Sequence, residues 1–464
     1  MLWYNYGMKK GDILDIEITS SGMEGEGVAR IDGMVVFVPL CMQGEKVRVM
    51  VREVNKKFAR ATVIKVLEPC ADRIYPLCPI FYRCGCCDMQ HIRYEKQLEI
   101  KKANVEACLY KSLGRKVVVD DVRGDGIIFG YRNKIQVPLA KVAGKVVAGY
   151  YKGNTHDVVP FGERVREDLG ACVMYERGMQ DMLDAFLSYA NDIGLDCYDE
   201  RKKTGFLRHF VARKVGNKYA VVVVGNGKKL PVEKKLITAL TNTGREFSLY
   251  FDSNTKNTNV IMSPDIRVVY GEERLEADVL GVRAKVSPLS FMQINDGVRD
   301  MIYDRVASMI KDGDEKVGID AYSGAGVLTN VLAKSADKVD GIEIVKEAVA
   351  DADELTEDCG NTDKVKNICG DCAEELPPLA EKLREERIKF SVVLDPPRKG
   401  CDEKVLDAIK SAKPDNVYYI SCNPATLARD LARLDTDYEI LSVSPYDMFP
   451  ETKHVETLVS LRRK

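Results

Sequence analysis

KVGIDAYSGAGVLTNVLAKSADKVDGIEIVKEAV, residues 316 to 349, reads as a strand, a glycine turn, a helix, a second strand and the start of a second helix. Short apolar runs closed by turn residues and joined through a helix form a unit that yields parallel strands. The alternation continues, with further strands at KVKNI, FSVVLD, NVYYIS, YEILSVSPY and HVETLVSL. Helices separate the first six of these strands and only a short connection precedes the last. From about residue 285 onward the expectation is therefore a doubly wound sheet whose final two strands form a hairpin.

Upstream the pattern changes. Residues 8 to about 66 carry short apolar runs, around Ile13 to Ile18, Val35 to Val38 and Val47 to Val51, punctuated by Gly22, Gly25, Gly27, Gly33 and Gly44. Short strands with glycine turns suit a small five-stranded barrel. YEKQLEIKKANVEACLY (94–110) has the spacing of a helix lying on a domain surface, and RGMQDMLDAFLSYANDIG (177–194) that of a second long helix. Strand-like runs VVVD, KIQVPLA and YAVVVVG accompany them. The expected organisation is a barrel over 1–67, a cysteine-bearing segment over 68–92, an α/β insert over 93–284 and the doubly wound unit over 285–464.

Composition narrows the function less than the pattern does. The chain of 464 residues is 45% hydrophobic and 30% charged, with 69 Lys plus Arg against 71 Asp plus Glu, so no overall basic field draws in nucleic acid. No apolar run approaches the ~20 residues of a membrane span, and Met1 to Lys10 show no basic-then-apolar export signal, which implies a cytoplasmic protein. Fourteen cysteines are many for that compartment, where clustered ones bind metal or do chemistry.

The loop Asp320-Ala-Tyr-Ser-Gly324-Ala-Gly326 follows the first strand of the doubly wound unit, where ligands of such sheets bind. A dinucleotide fingerprint would place a third glycine at Thr329. Instead Glu343 ends the next strand, placed to accept from a ribose diol, and Asp371 follows the third, placed to meet an adenine amino group. A glycine loop followed by acids suits the sulfonium of S-adenosylmethionine better than a pyrophosphate. Both acids also read as solvated loop carboxylates.

Asp395-Pro-Pro-Arg-Lys-Gly400 closes the fourth strand, its prolines fixing the turn that aims Asp395 at the cleft. Arg398 stands where amino-methyltransferases carry an aromatic residue. One strand later comes Ser421-Cys422-Asn423-Pro424, with Pro424 suited to a first helical position and Asn423 to its cap, so Cys422 would lie by the positive end of a helix, which favours a thiolate. A thiolate that adds to C6 of uracil turns C5 into a nucleophile, after which a base must remove the C5 proton. Glu456, opening the last strand, is the candidate base, its pKa raised by a partly desolvated cleft. Taken singly, Cys422 could be buried packing and Glu456 a surface strand residue.

FMQIN (291–295), DAYSGAG, GIEIVKEAV, DPPRKG, ISCNPATLARDL and MFPETKHVE together resemble the class I RNA 5-methyluridine methyltransferases, over nearly the whole chain. MEGEGVARIDGMVVFVP with GEKVRV resembles a TRAM domain, the small barrel attached to many RNA-modifying enzymes. The resemblance implies a TRAM/OB-like barrel, a central α/β insert and a class I methyltransferase fold. It implies that Gln293, Tyr322, Glu343 and Asp395, beside the loop glycines Gly324 and Gly326 and the acid Asp371, contact S-adenosylmethionine. It makes Cys422 the nucleophile and Glu456 the proton acceptor. The run Cys78 to Cys87, C-x5-C-x2-C, resembles three ligands of the [4Fe-4S] site of the ribosomal branch: Cys78, Cys84 and Cys87. At the expected place of a fourth ligand stands Arg164. Cys86, Cys70 or Cys172 would substitute, or the cluster is incomplete, or the site holds zinc. Tyr131-Arg132-Asn133-Lys134 resembles a family segment near RNA. The implied substrate is RNA, with 23S ribosomal RNA favoured over tRNA, the implied partner set has no membrane, and a monomer is the default. The competing readings are an amino-group methyltransferase, in which Cys422 is dispensable, and an assembly factor that keeps the fold without turnover.

Overall fold

The structure, a computed structural model, describes residues 8–22, 25–153, 155–313 and 315–464. The reading of Met1 to Lys10 falls mostly outside these residues, as do Met23 and Glu24 of the barrel stretch.

Three sheets and a hairpin organise the chain. The N-terminal sheet has six strands in the order Ile13–Glu17, Lys46–Val54, Phe58–Glu68, Met34–Val38, Gly27–Ile31 and Ser20–Ser21. Its alternating residues Val36, Val38, Val47 and Val49 meet Ile18 and Ala59 in a small core.

The central sheet runs Ile266–Tyr270, Phe247–Ser253, Lys218–Gly225, Leu207–Val215, Lys134–Val142, Lys145–Tyr151 and Val158–Pro160. Its middle strands Leu207–Val215, Lys218–Gly225 and Phe247–Ser253 are buried along almost their whole length because both faces are covered. Met179, Met182, Leu183 and Phe186 of the helix Arg177–Asp192 pack on one face. The other face meets Leu275, Ala277 and Val286 of the hairpin Leu275–Val279 and Val282–Val286. The expected strand at VVVD does not form: Val118 is 86% exposed, and Asp120 N donates to Val443 O from an irregular segment.

The C-terminal sheet has the order Val365–Cys369, Lys338–Glu343, Val317–Asp320, Phe390–Leu394, Asn416–Ser421, Glu456–Arg463 and Tyr438–Tyr446. The first five strands are parallel, and Glu456–Arg463 inserts antiparallel between its two neighbours. The helix Tyr94–Leu113 belongs with this sheet rather than with the insert whose sequence it opens. Val105, Cys108 and Leu109 are buried in the same core as Leu427 and Leu431 of the helix Pro424–Leu434. Among the described residues no helix is long and apolar enough to cross a membrane.

Candidate active site

The carboxyl ends of the parallel strands and the start of the inserted antiparallel strand share one edge of the C-terminal sheet. Ser421 pairs with Thr457 at that edge, so Cys422 and Glu456 are the next residues outward on neighbouring strands. Leu394 pairs with Tyr419 one strand over, which brings Asp395 to the same edge. The hairpin thus joins residues 34 positions apart (456 minus 422) through strand register alone.

Burial sets the chemistry there. Glu456 is 2% exposed, and burial with the neighbouring Asp395 raises its carboxyl well above the usual range while Arg398 opposes them. Asp395 is pushed up to about 7 by burial and Asp320, against a hydrogen bond from the Gln293 side chain. Cys422 is pushed up to about 11 by burial and Glu456, with Arg398 pulling down and Asp395 adding to the rise. The helix behind it forms as expected: Asn423 Oδ1 accepts from Ala425 N at 3.0 Å and Thr426 N at 3.5 Å, and Pro424 opens the helix. A helix end is worth at most about 2 kcal/mol, so desolvation and two adjacent carboxyls outweigh it, and the free thiol is protonated rather than a standing thiolate. Its proton has a neighbouring acceptor of raised basicity, Glu456, to move to.

Beside this trio opens a cleft of about 780 Å³. Glu343, Glu347, Asp351, Asp371, Asp395 and Asp402 line it against the single cation Lys399, an environment that suits a sulfonium and not a pyrophosphate. Glu343 is fixed by Gly324 N on Oε2 at 3.1 Å and Val345 N on Oε1 at 2.8 Å, leaving lone pairs on both oxygens for a diol. Gly326 has φ +76°, and a Cβ there would meet Ala352 Cβ at 2.8 Å, so the turn needs glycine. Tyr322 is half-buried and shares a hydrogen bond with Cys401. Asp371 is exposed and caps the helix Cys372–Glu385, with Oδ1 accepting from Ala373 N at 2.9 Å.

The sequence reading gave no role in the site to three residues. Asp320 ends the first strand, holds the Thr329 hydroxyl at 2.8 Å and is pushed up to about 6 by burial. Tyr303, on the helix Asp296–Asp312, lines the cleft near Asp395 and Asp320. Arg398 supplies the positive charge facing Cys422 and Glu456. Asp320 lies inside a motif already singled out; Tyr303 carries no local signal.

A second group of thiols lies elsewhere. Cys78, Cys84, Cys86, Cys87 and Cys172 line one small cavity with Phe81, Tyr150 and Phe161. Burial raises the thiols of Cys78, Cys84 and Cys172, and burial together with Cys86 raises that of Cys87. Cys86 differs: a hydrogen bond with Cys87 and, after it, the Arg132 guanidinium, whose Nη1 donates to its Sγ at 3.4 Å, bring its thiol down to about 6 against burial. Of the fourth-ligand candidates Cys86, Cys70 and Cys172, Cys70 sits instead against Met42 Sδ at 3.7 Å, and Arg164, at the expected place of that ligand, is exposed and absent from the cavity wall. Among the described residues no three His, Cys, Asp or Glu side chains are arranged to hold a metal ion. A metal-site reading therefore rests on the shared cavity alone.

Residues 228–464 match the family model described as tRNA (Uracil-5-)-methyltransferase, and residues 8–64 match the TRAM domain. An uncharacterized RNA methyltransferase of Clostridium tetani is 33% identical, covering 97% of this chain and 96% of the relative. One of Caldanaerobacter subterraneus subsp. tengcongensis is 36% identical, covering 98% and 99%. Among solved structures, the Pyrococcus abyssi tRNA (uracil-54, C5)-methyltransferase in complex with S-adenosyl-L-homocysteine superposes with a TM-score of 0.75 at 25% identity, over 96% of this chain and 99% of that one. A glycine loop and acid-lined cleft at the sheet edge, a TRAM domain at the N-terminus and relatives matched end to end agree: the chain belongs to the TRAM-bearing class I RNA uracil-5-methyltransferase family, S-adenosylmethionine-dependent enzymes acting on RNA.

Proposed function

We propose that this chain methylates C5 of a uridine in 23S ribosomal RNA, with Cys422 as covalent nucleophile and Glu456 as the base. The observation that carries the mechanism is the strand register setting Glu456 beside Cys422, with Asp395 at the same edge. Bound S-adenosylmethionine supplies the methyl group, with the loop Tyr322–Gly326, Glu343, Asp371, Gln293 and Asp395 as its holders. Cys422 gives up its proton to Glu456, which passes it to solvent, and the sulfur bonds to uracil C6 while the C5–C6 electron pair moves toward O4. C5 then takes the methyl group. Glu456 accepts the remaining C5 proton, the S–C6 bond breaks with its electron pair on sulfur, and the Cys422 thiolate takes a proton back from Glu456, so that one proton is released overall. The neighbouring Arg398 steadies the negative charge that passes between sulfur and carboxylate.

Cys78, Cys84, Cys87 and Cys172 are the proposed ligands of a structural [4Fe-4S] cluster. Their convergence on one apolar cavity supports this, as does the engagement of Cys86 by Arg132. The ribosomal choice of RNA rests on the resemblance of the cysteine spacing together with the TRAM domain. The same reading makes the protein cytoplasmic.

The test is to incubate the protein with S-adenosylmethionine and total RNA carrying 5-fluorouridine. Fluorine at C5 blocks the last proton removal, so a denaturation-resistant adduct forms with the native chain and not with Cys422→Ala. Sequencing the trapped RNA distinguishes ribosomal RNA from tRNA. Methyl transfer to ordinary RNA without any adduct would hand the reaction to the amino-methyltransferase mechanism.

A further inference from the structure

The turn Arg398–Cys401, which follows Asp395 and two prolines, is tied along its length to the helix Pro424–Leu434 and its cap Asn423. Arg398 O accepts from Asn423 Nδ2 at 3.2 Å and from Thr426 Oγ1 at 3.3 Å. Lys399 O and Cys401 O accept from Arg429 Nη2 at 3.0 Å and 3.3 Å. Cys401 N donates to Asp430 Oδ2 at 2.9 Å. Gly400 lies against the same two side chains: a Cβ there would meet Asp430 Oδ2 at 2.5 Å and Arg429 Nη2 at 2.7 Å.

Asp430 is the buried member of this clamp. It shares the inner face of the helix with Leu427, Ala428, Leu431 and Leu434, and its side chain is 0% exposed. Its Oδ1 accepts from Arg429 Nε at 2.7 Å, and its Oδ2 accepts from Tyr419 Oη at 2.7 Å as well as from Cys401 N. Replacing a buried, paired charge by apolar side chains commonly leaves stability unchanged or raises it. Stability alone therefore does not account for a carboxylate here, whereas the main chain that it holds does.

Two parts of the active site hang on that turn. Pro397, Lys399, Gly400 and Asp402 line the cofactor cleft together with Tyr322, and the Cys401 sulfur shares hydrogen bonds with the Tyr322 and Tyr419 side chains. Cys422 is faced by Glu456, Arg398 and Asp395, and of these three only Arg398 belongs to the turn. The helix that holds the turn begins two residues after Cys422. The wall of the cofactor cleft and the nucleophile are thus fastened to one element.

We infer that Asp430 is a positioning residue of the reaction: with Arg429 it sets the turn Arg398–Cys401 against the helix behind the nucleophile, and so fixes both the cofactor wall and the Arg398 charge relative to Cys422. The inference rests on the roles proposed for Cys422 and Arg398, and it adds to them a residue outside the wall of the cleft. Misplacing a reacting group by an ångström costs on the order of 10²-fold in rate, so a clamp that holds donor and nucleophile to one helix bears directly on turnover.

The experiment measures two properties of the folded full chain in Asp430→Asn and Arg429→Gln. One is the affinity for S-adenosylhomocysteine by calorimetry; the other is the rate of alkylation of Cys422 by iodoacetamide against pH, read on its peptide by mass spectrometry. Asp430→Asn is nearly isosteric and sets an amide N–H among donors. Arg429→Gln acts from the exposed side of the clamp, so it gives the answer where Asp430→Asn fails to fold. In both variants S-adenosylhomocysteine is expected to bind about three- to tenfold more weakly, and the alkylation midpoint to move up by about half a unit to one unit, because Arg398 is no longer held by the thiol. Arg433→Gln removes pairs with Glu403 and Asp407 from the same helix without touching the turn, and it should move neither property. If either property is unchanged in the folded variants, whatever their unfolding midpoint, Asp430 is a stabilising residue only and the inference is overturned. Neither readout uses RNA, so its failure is distinct from a failure of the 5-fluorouridine adduct, which tests the reaction itself.

Discussion

Cys422 and the thiols of Cys78, Cys84, Cys87 and Cys172 are all withdrawn from water, and burial raises every one of them. What stands beside them differs. Cys422 has a carboxyl of raised basicity as its neighbour and an arginine to steady charge. The other four look across an apolar cavity at aromatic rings and at one another. A buried thiol with a proton acceptor can be ionised at the moment of reaction, which is what a nucleophile needs. The buried thiols of the cavity have no carboxylate among the lining residues to take their protons, so they ionise on binding a metal group if one displaces the protons.

The sharpest way to break this contrast is Glu456→Gln. Removing the acceptor should lower turnover by about 10²–10⁴-fold, the usual contribution of a positioned base. The variant thiol loses its neighbouring acceptor but also one cause of its raised pKa, so it can still ionise directly to solvent, whereas the C5 proton has no acceptor, and a covalent adduct should accumulate with ordinary, unfluorinated RNA. A gel shift stable to denaturant checks this; slow turnover without adduct would assign the base elsewhere.

Cys172→Ser tests the other half of the comparison. Under the proposed cluster, the native chain purified without oxygen should carry iron and a broad visible absorption, Cys172→Ser should lack both, and Cys86→Ser and Cys422→Ala should keep them. Equal iron in Cys172→Ser and the native chain would remove Cys172 from the ligand set.

The two regions are physically joined, and Lys101→Met measures how much that joint matters. Asp88 N and Met89 N, just after the cysteine run, both donate to Glu451 O at 3.1 Å, in the loop that leads to Glu456. Lys101 and Asp447 form an ion pair at 2.5 Å with side chains 1% and 0% exposed, and Tyr94 Oη donates to Asp447 Oδ2 at 2.9 Å. Leaving Asp447 without its cation should cost about 3–5 kcal/mol, read as a lowered urea midpoint. Lys101→Met with Asp447→Leu should recover much of the loss, because replacing both charges leaves none unpaired.

That joint also marks where the sequence stopped being informative. The strand and helix alternation of the C-terminal sheet and the cap at Asn423 are local patterns, legible within a few residues of each other. The buried face of the helix Tyr94–Leu113 carries Gln97 and Lys101 beside Val105 and Leu109, and Lys101 finds Asp447 346 residues further on, so no window reveals which sheet the helix covers. VVVD has the apolar content of a strand, yet Val118 points to water, because β-propensity yields to pairing partners. In the site, Cys422, Glu456 and Asp395 announce themselves through turn and cap residues. The height of the Cys422 pKa does not, since it depends on two carboxyls brought in by other strands.

Arg398 carries the smallest expected effect and the finest test of the contrast. Its positive charge lowers both Cys422 and Glu456. In Arg398→Gln both groups should therefore hold their protons to higher pH. The reaction needs one proton fewer on this pair, so the rising acidic limb of kcat/KM should move upward by about half a unit to one unit, equivalent to a three- to tenfold loss at neutral pH. Above the shifted limb the two enzymes should converge, because the pair is then deprotonated in both. A loss of equal size at every pH would mean that Arg398 works by holding the RNA, and that the ionisation of Cys422 is governed by Glu456 and burial alone.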